Sequence, residues 1–427
     1  MIKTVSPPRR LRGEVRLPGD KSITHRAFVL NAIALGSAIV RNPSRGEDCL
    51  STLHCLRSLG ATIDADDMEA VRIEGRGPAA LEPAAGPLDA GNSGTTVRLI
   101  SGVLAGLPFT TVITGDNSLR NRPMHIAEPL GLMGAQVSGS NGDSKPPLEI
   151  HGGSLHGIDY QMPVVSAQIK SCILIAGLGA EGETVVQERL STRDHTERML
   201  GAMGARIETQ SDAIRLQPGT LRAQDVDVPG DISAASFWLV AGALHPDAEI
   251  LVRSVGLNPS RTGMLDALAE MGADLTYEDR RSAGGEEVAD IRVRSSELRG
   301  VAVSGAMVPR MIDELQLLAL AGACATGTTE IREAAELRSK ESDRVSTIVE
   351  ALRAFGVEVE ELPDGLRVQG GGPLQGAAVS SNGDHRLAMV LAVAGLIAQG
   401  STVIQGAEAV GFSYPDFWDD LELLTEG

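Results

Sequence analysis

The sequence predicts an α/β protein of two domains, each built from three copies of a strand, helix, strand, helix, strand, strand unit. Three observations carry this: a length beyond one core, a composition of small aliphatic residues with many glycines, and two signatures that recur along the chain. At 427 residues the chain exceeds a single compact core, and two domains of about 200 residues each is the natural division. Hydrophobic residues make up 42% and charged residues 22%, an ordinary balance for a globular protein. Aromatic residues are only 3% while Gly numbers 49, so the core must be built from Ala, Leu, Val and Ile with many tight turns.

The first signature is an apolar run, a Gly and a small residue before a β-rich stretch, as in LLALAGACATGTTEIRE and LAVAGLIAQGSTVIQG; it recurs six times. The second follows the first five copies: LRSLGATID, LGLMGAQVS, LGAMGARIE, LAEMGADLT and LRAFGVEVE. Its glycines, Gly60, Gly134, Gly204, Gly272 and Gly356, step by 74, 70, 68 and 84 residues. Each reads as an amphipathic helix ended by a Gly C-cap and followed by an alternating strand, such as Val357-Glu358-Val359-Glu360. Leu362-Pro363-Asp364-Gly365 then reads as the turn of a hairpin. A longer period overlies these units, because LPGDKS at Leu17–Ser22 returns as VPGDIS at Val228–Ser233, 211 residues on. The expected domains are therefore 20–229, and 1–19 together with 230–427, with the first residues completing the sheet of the second half.

A formal net charge of −18 argues against nucleic acid or an anionic membrane as partner, since both need a basic field. Any anionic substrate must then be held by a local cluster of cations. Cys49, Cys55, Cys172 and Cys324 form no C-x-x-C pair and have no His at zinc spacing, so reduced structural thiols and no metal are expected. No charged segment leads into an apolar one at the N-terminus, and the most apolar stretch, Leu387–Ala398, has 12 residues. A cytoplasmic protein that does not span a membrane is expected.

Chemistry concentrates in a few segments. LPGDKSITHRA turns at Pro18-Gly19 and enters a helix that sets Lys21, Ser22 and Arg26 near its N-terminus, where exposed N–H groups favour an anion. By itself this is equally an Asp20 N-cap beside solvated basic residues. DAGNSGTTVRL brings Asn92 and the close-approach glycines Gly91 and Gly94 into an apolar helix, with Arg98 in its first turns, a pattern suited to cradling carboxylate or phosphate. GDNSLRNRPMH offers Arg120 and Arg122, and VVSAQIKS offers Ser166, Gln168 and Lys170 at another helix start. In the second half Asp313 heads an apolar helix, and Lys340, Glu341 and Arg344 cluster before an amphipathic one. Lys340 and Arg344, four apart, are expected to point the same way; a salt-bridged surface is the commoner meaning of such a run. His385 and Arg386 stand just before the most apolar helix, where cations are electrostatically unfavourable without an anion.

Seven motifs, LPGDKSITHRA, GNSGTTVR, the Arg-Pro of NRPM, the SAQ of VVSAQ, MIDE, RSKESDR and DHRLAM, together resemble EPSP synthases over nearly the whole chain and in the family's order. The resemblance implies a two-domain inside-out α/β barrel of six βαβαββ-like repeats. It also implies transfer of the enolpyruvyl group of phosphoenolpyruvate to the 5-hydroxyl of shikimate 3-phosphate, with glyphosate as competitor, without metal or organic cofactor, by a monomer. It carries over Lys21, Ser22 and Arg26 to shikimate 3-phosphate, with Lys21 also reaching phosphoenolpyruvate. Gly94 and Arg122 would contact phosphoenolpyruvate, Asn92 would shape that loop, and Ser166, Ala167 and Gln168 would bind the shikimate phosphate and ring. Asp313 would be the base or hydroxyl-orienting group, assisted by Lys340, and Glu341 the proton donor to carbon. Arg344 and Arg386 would bind the phosphoenolpyruvate carboxylate, with His385 nearby.

Two departures stand out. Some members carry a Lys shortly before the C-terminal Phe-Pro-Asp-like segment, whereas GFSYPDF here has none. TRDHTE replaces a Ser-x-Pro-Tyr segment, as in a second branch of the family, so Arg193 would take over a phosphate contact. The nearest rival, a UDP-N-acetylglucosamine enolpyruvyl transferase, resembles K-N at the first motif and carries a loop Cys, which the region around Arg120 lacks. A non-catalytic clamp for anionic metabolites would need the cations but not Asp313, Lys340 and Glu341. With the candidates divided between the halves, catalysis is expected to depend on bringing the halves together.

Overall fold

The computed structural model describes residues 1–210 and 212–426. The chain forms two compact units, Gly19–Val228, and Met1–Pro18 with Pro229–Gly427. The chain crosses between them at the two Pro-Gly-Asp segments.

In the Gly19–Val228 unit, one sheet runs in the order Leu88–Asp89, Thr110–Thr114, Lys145–His151, Gln136–Gly139. Its first pair is parallel and the others antiparallel. Parallel neighbours need a crossover, supplied by the helix Gly94–Ala105, whereas the antiparallel pair is joined locally. Asp159–Gln161, Thr184–Gln187, Ala213–Leu216 and Ile207–Gln210 repeat this order, as do Val226–Asp227, Leu35–Arg41, Ala70–Arg76 and Thr62–Asp64. In the last sheet the unit's final strand pairs with one of its first.

The other unit shows the same arrangement. Ala302–Val303, Thr328–Ile331, Gly365–Gln369 and Glu358–Leu362 form one sheet, and the expected hairpin is there, with Leu362 opposite Gly365 across Pro363-Asp364. The N-terminal residues complete two sheets rather than one. Leu11–Arg16 runs parallel to Ala248–Gly256, and Ile2–Val5 runs antiparallel to Thr402–Gln405 in a three-stranded sheet with Ala378–Ser380.

Burial explains why helices lie inside and sheets outside. Among the described residues, Ile232–Ala243, Leu315–Ala323 and His385–Gly395 are buried without interruption, as are Ile23–Ile33 and Ile169–Gly177. Helices that are apolar all round have no face for water and must be enclosed. The strands alternate instead: Val71, Ile73 and Gly75 of Ala70–Arg76 point inward, and the residues between them are exposed. This is the expected inside-out arrangement.

The five signature glycines all take left-handed backbone, with φ from 84° to 114°. After each, the next residue's N–H bonds five residues back, as Ala61 to Leu56 and Ala273 to Leu268, while the glycine's own N–H reaches three residues back. That is a Schellman cap, and only Gly takes this backbone without strain. At Gly19 the constraint is space: a Cβ would stand 1.8 Å from the Asn42 carbonyl oxygen. Gly272→Ala is expected to lower unfolding free energy by about 1–2 kcal/mol through the left-handed backbone alone. Gly19→Ala should cost more, since the loop must move; urea unfolding of the two variants checks the order.

Candidate active site

The candidate residues collect where the inner helices begin. In the Gly19–Val228 unit, Asp20 caps the helix Lys21–Ile33 by accepting from the Ile23 N–H at 2.9 Å. Lys21, first in that helix, places Nζ 3.0 Å from Asp48 Oδ2. Arg26 is buried one turn on: its Nε donates to Thr196 Oγ1 at 2.7 Å, Nη2 to Ser171 Oγ at 2.8 Å and Nη1 to the Ser22 carbonyl at 2.9 Å. Arg193 Nη1 lies 3.4 Å from Ser22 Oγ. Lys21, Ser22, Arg26 and Arg193 thus form one cluster.

A second cluster surrounds Asn92 and Gly94. Ser93 caps the helix Gly94–Ala105 through the Thr96 N–H. Arg122 donates to both the carbonyl and the side-chain oxygen of Asn92, and Asn92 Nδ2 donates to Asp116 at 2.6 Å. Arg98 ties these loops together: Nη1 donates to the Gly94 carbonyl and to Gln168 Oε1, at 3.2 and 2.8 Å. Its Nε and Nη2 reach the carbonyls of Met124 and Pro123, at 3.0 Å each. Gln168 passes the link on to Thr95 Oγ1 at 2.8 Å. Ser166 and Ala167 occupy the N-cap and first position of the helix Ala167–Gly177.

Beneath both clusters runs a buried chain of hydroxyls. His25 Nδ1 is 2.7 Å from Thr52 Oγ1, which is 2.6 Å from Thr96 Oγ1, itself 2.8 Å from Ser93 Oγ. Burial pushes the His25 imidazolium well below its usual range, helped by the charges of Lys21 and Arg26. His25 Nε2 has no hydrogen-bond partner among the described residues, which suits a neutral ring.

In the other unit the hub is Arg344, first residue of the helix Arg344–Ala354 and 2% exposed. Its Nε donates to Asp384 Oδ2 at 2.8 Å, Nη1 to Asp313 Oδ1 at 3.1 Å and Nη2 to Glu341 Oε2 at 2.7 Å. Burial opposes its charge, but Asp384, Glu341 and Asp313 outweigh that and raise it further above its usual range. Arg386 Nη2 stands 3.4 Å from Asp313 Oδ2, so two guanidiniums flank Asp313. His385 and Arg386 are the first two residues of the helix His385–Gly395 rather than residues before it, and both are buried. His385 meets the Phe412 ring edge-on, with centroids 6.5 Å apart.

Lys340 departs from the spacing argument. Asp343 caps the helix through the Val345 and Ser346 N–H groups, so the helix begins at Arg344. Lys340 therefore lies outside the helix, the four-residue rule does not apply to it, and its Nζ pairs with Glu336.

Three residues outside the sequence-derived set, Asp48, Glu314 and Asp384, turn out to organise it, together with Arg98, which the sequence had placed only in the first turns of its helix. Asp384 is fully buried and accepts from Ser342 Oγ, Arg344 and the Arg386 N–H. It supplies the anion that a cationic helix start demands. Its signal was present, since Asn-Gly-Asp at 382–384 parallels the two Pro-Gly-Asp caps. Glu314 accepts from Ser233 and lies 3.9 Å from Arg386 Nη1, joining three inner-helix starts. Among the described residues no group of three or more His, Cys, Asp and Glu is placed to hold a metal ion, and no helix is long and apolar enough to cross a membrane.

A family model described as EPSP synthase (3-phosphoshikimate 1-carboxyvinyltransferase) matches residues 5–421. The chain belongs to this family. A relative from Synechococcus, named 3-phosphoshikimate 1-carboxyvinyltransferase, is 52% identical over 99% of this chain and 96% of its own length. One of the same name from Herpetosiphon aurantiacus is 49% identical over the full length of both. The solved EPSP synthase of Acinetobacter baumannii is 42% identical and superposes with a TM-score of 0.87, covering 99% of this chain and 98% of that one. The enolpyruvyl transferase NikO of Streptomyces tendae, at 20% identity and a TM-score of 0.78, shares the fold. The EPSP synthase family has the two-domain inside-out α/β architecture described above.

Two outcomes follow from the buried charges. Asp384→Ala strips Arg344 of a buried partner and should cost about 3–5 kcal/mol of stability. Asp384→Asn, which keeps an acceptor for the Arg386 N–H, should cost less; urea unfolding compares them. His25 has a folded pKa below its unfolded value near 6.5, so the unfolded chain binds the proton first. Its contribution is complete above that pH and shrinks as pH falls below it. Wild type should lose stability there faster than His25→Gln, as unfolding midpoints at pH 7 and pH 5 would show.

Proposed function

We propose that the protein transfers the enolpyruvyl group of phosphoenolpyruvate to the 5-hydroxyl of shikimate 3-phosphate, giving 5-enolpyruvylshikimate 3-phosphate and phosphate. The observation that carries this is the Asp313–Arg344–Glu341–Arg386 cluster, two carboxylates interleaved with two guanidiniums, in a chain of this family. A binding protein for anions needs the guanidiniums, and Asp384 alone is fully buried as their counter-ion; Asp313 and Glu341, each 15% exposed, are left placed for proton transfer.

In the addition, the acceptor oxygen bonds to C2 of phosphoenolpyruvate, its proton leaves to a base, and C3 takes a proton from an acid. The elimination then returns the C3 proton and breaks the bond from C2 to the phosphate oxygen. We assign Asp313 to the acceptor hydroxyl, assisted by Lys340, and Glu341 to C3. Because guanidiniums flank both oxygens of Asp313, it is suited to orienting the hydroxyl and balancing charge. Arg344 and Arg386 take the phosphoenolpyruvate carboxylate. To reach Arg344 that carboxylate must displace one of its three partners; Glu341 and Asp313 are each 15% exposed against 0% for Asp384, and Asp313 is also held by Arg386, which leaves Glu341 the easier to move. Displacement would free Glu341 for C3.

Lys21, Ser22, Arg26, Ser166, Ala167, Gln168 and Arg193 take shikimate 3-phosphate, and Gly94 and Arg122 contact phosphoenolpyruvate, with Asn92 shaping that loop through Asp116 and Arg122 and Lys21 serving both substrates. Charged guanidiniums forking onto carboxylate and phosphate oxygens give both strength and orientation. The GFSYPDF stretch adds no cation: Tyr414 and Phe417 are buried against Trp238, and Tyr414 donates to Asp420 at 2.5 Å. A cytosolic location belongs to the same proposal, since both substrates are phosphorylated and cross membranes poorly, as does a monomeric state, which sedimentation checks.

Phosphate release should be seen with shikimate 3-phosphate and not with UDP-N-acetylglucosamine. Asp313→Ala and Glu341→Gln should each lower kcat by about 10²–10⁴-fold, the range of general acid–base catalysis. Near-normal turnover by Asp313→Ala would sink the assignment, and tight binding without phosphate release would favour the clamp.

A further inference from the structure

Lys170 is the fourth residue of the inner helix Ala167–Gly177, and its side chain is 1% exposed. Burying an ammonium costs several kcal/mol unless it is well paired. Its Nζ sits 2.9 Å from Glu188 Oε2 and 2.6 Å from Glu197 Oε1, carboxylates that are 6% and 9% exposed. Glu188 directly follows the strand Thr184–Gln187, and Glu197 is third in the helix His195–Ala202. One ammonium therefore clamps both ends of the segment between them.

Further bonds fix the segment's interior. Thr192 donates its hydroxyl to Glu188 Oε1 and its N–H to Oε2. Thr196 Oγ1 receives Arg26 Nε at 2.7 Å and lies 2.7 Å from Ser171 Oγ. Between the pinned residues Thr192 and Thr196 stands Arg193, whose Nη1 meets Ser22 Oγ. Two carboxylates face one ammonium, and burial raises the carboxyl of Glu197 against the opposing pull of Lys170. Such a cluster is a poor route to stability alone, because apolar residues of equal volume would do as well or better. Directional bonds to four separate points do what apolar packing cannot, which is to set where one loop residue stands.

We propose that Lys170, through Glu188, Glu197 and Thr192, is the positioning residue that holds Arg193 beside Ser22 and so sets affinity for the phosphorylated acceptor rather than the rate of the chemical step. This rests on the assignment of Arg193 to shikimate 3-phosphate made above.

The test uses the full-length protein, with shikimate 3-phosphate binding followed by calorimetry without phosphoenolpyruvate and turnover followed by phosphate release. Lys170→Met is expected to weaken shikimate 3-phosphate binding by about tenfold or more, while kcat and the KM for phosphoenolpyruvate stay within about twofold. Lys170→Arg should recover part of the loss. In an Arg193→Ala background the effect of Lys170→Met should largely vanish, because the two changes remove one contact. If Lys170→Met does not fold, Thr192→Val takes its place in the same cycle. A full effect that persists without Arg193, equal weakening for both substrates, or unchanged binding each overturns the inference while wild type still turns over. Wild-type protein that neither binds shikimate 3-phosphate nor releases phosphate overturns the activity proposal and this inference together.

Discussion

Enclosure of three apolar helices inside each unit is the constraint from which the rest follows. A helix surrounded by sheets has no solvent face, so its length must be mostly apolar, as in Ile232–Ala243, which is buried without exception. Charged side chains are then confined to the first two turns of these helices, near backbone N–H groups that are unsatisfied and favour anions. Within each unit the helix starts are linked to one another. Arg98 and Gln168 join the helices beginning at Gly94 and Ala167, and Ser233, Glu314 and Arg386 join those beginning at Ile232, Leu315 and His385. An architecture chosen by burial thereby concentrates donors at one place in each unit.

The charges gathered there must be held apart from water, and each unit does so differently. In one, Arg26 and Arg98 are bound by hydroxyls, carbonyls and an amide, which orient a guanidinium. In the other, Arg344 is bound by three carboxylates, and their field holds its charge despite complete burial. Buried ion pairs of this kind contribute little net stability against an apolar replacement, yet removing one partner is costly. Their persistence fits a role in presenting charge to a ligand.

Much of the architecture was legible in the chain. The five Gly signatures foretold five Schellman caps because a left-handed residue with no Cβ has few substitutes. The Pro363-Asp364 turn and the inner helices were equally clear, the former from turn chemistry and the latter from unbroken apolar runs. The candidate residues could be named, but their partners could not. Asp48, Arg98, Glu314 and Asp384 look in sequence like ordinary first-turn or cap residues, since nothing local says which distant cation each will meet. Lys340 shows the reverse error: a four-residue spacing has meaning only inside a helix, and the cap at Asp343 put Lys340 outside it.

What the sequence alone determined was periodic or short-range: helix and strand order, the caps, and the apolar faces, each fixed by residues within a turn or a strand of one another. What only the tertiary structure decided was pairing across long separations, such as Arg26 with Thr196, Lys170 with Glu188 and Glu197, and Arg344 with Asp384. Burial is the physical reason. Which carboxylate neutralises which cation depends on the helix starts being brought together in an interior where no water can substitute, and that proximity is a property of the packed unit.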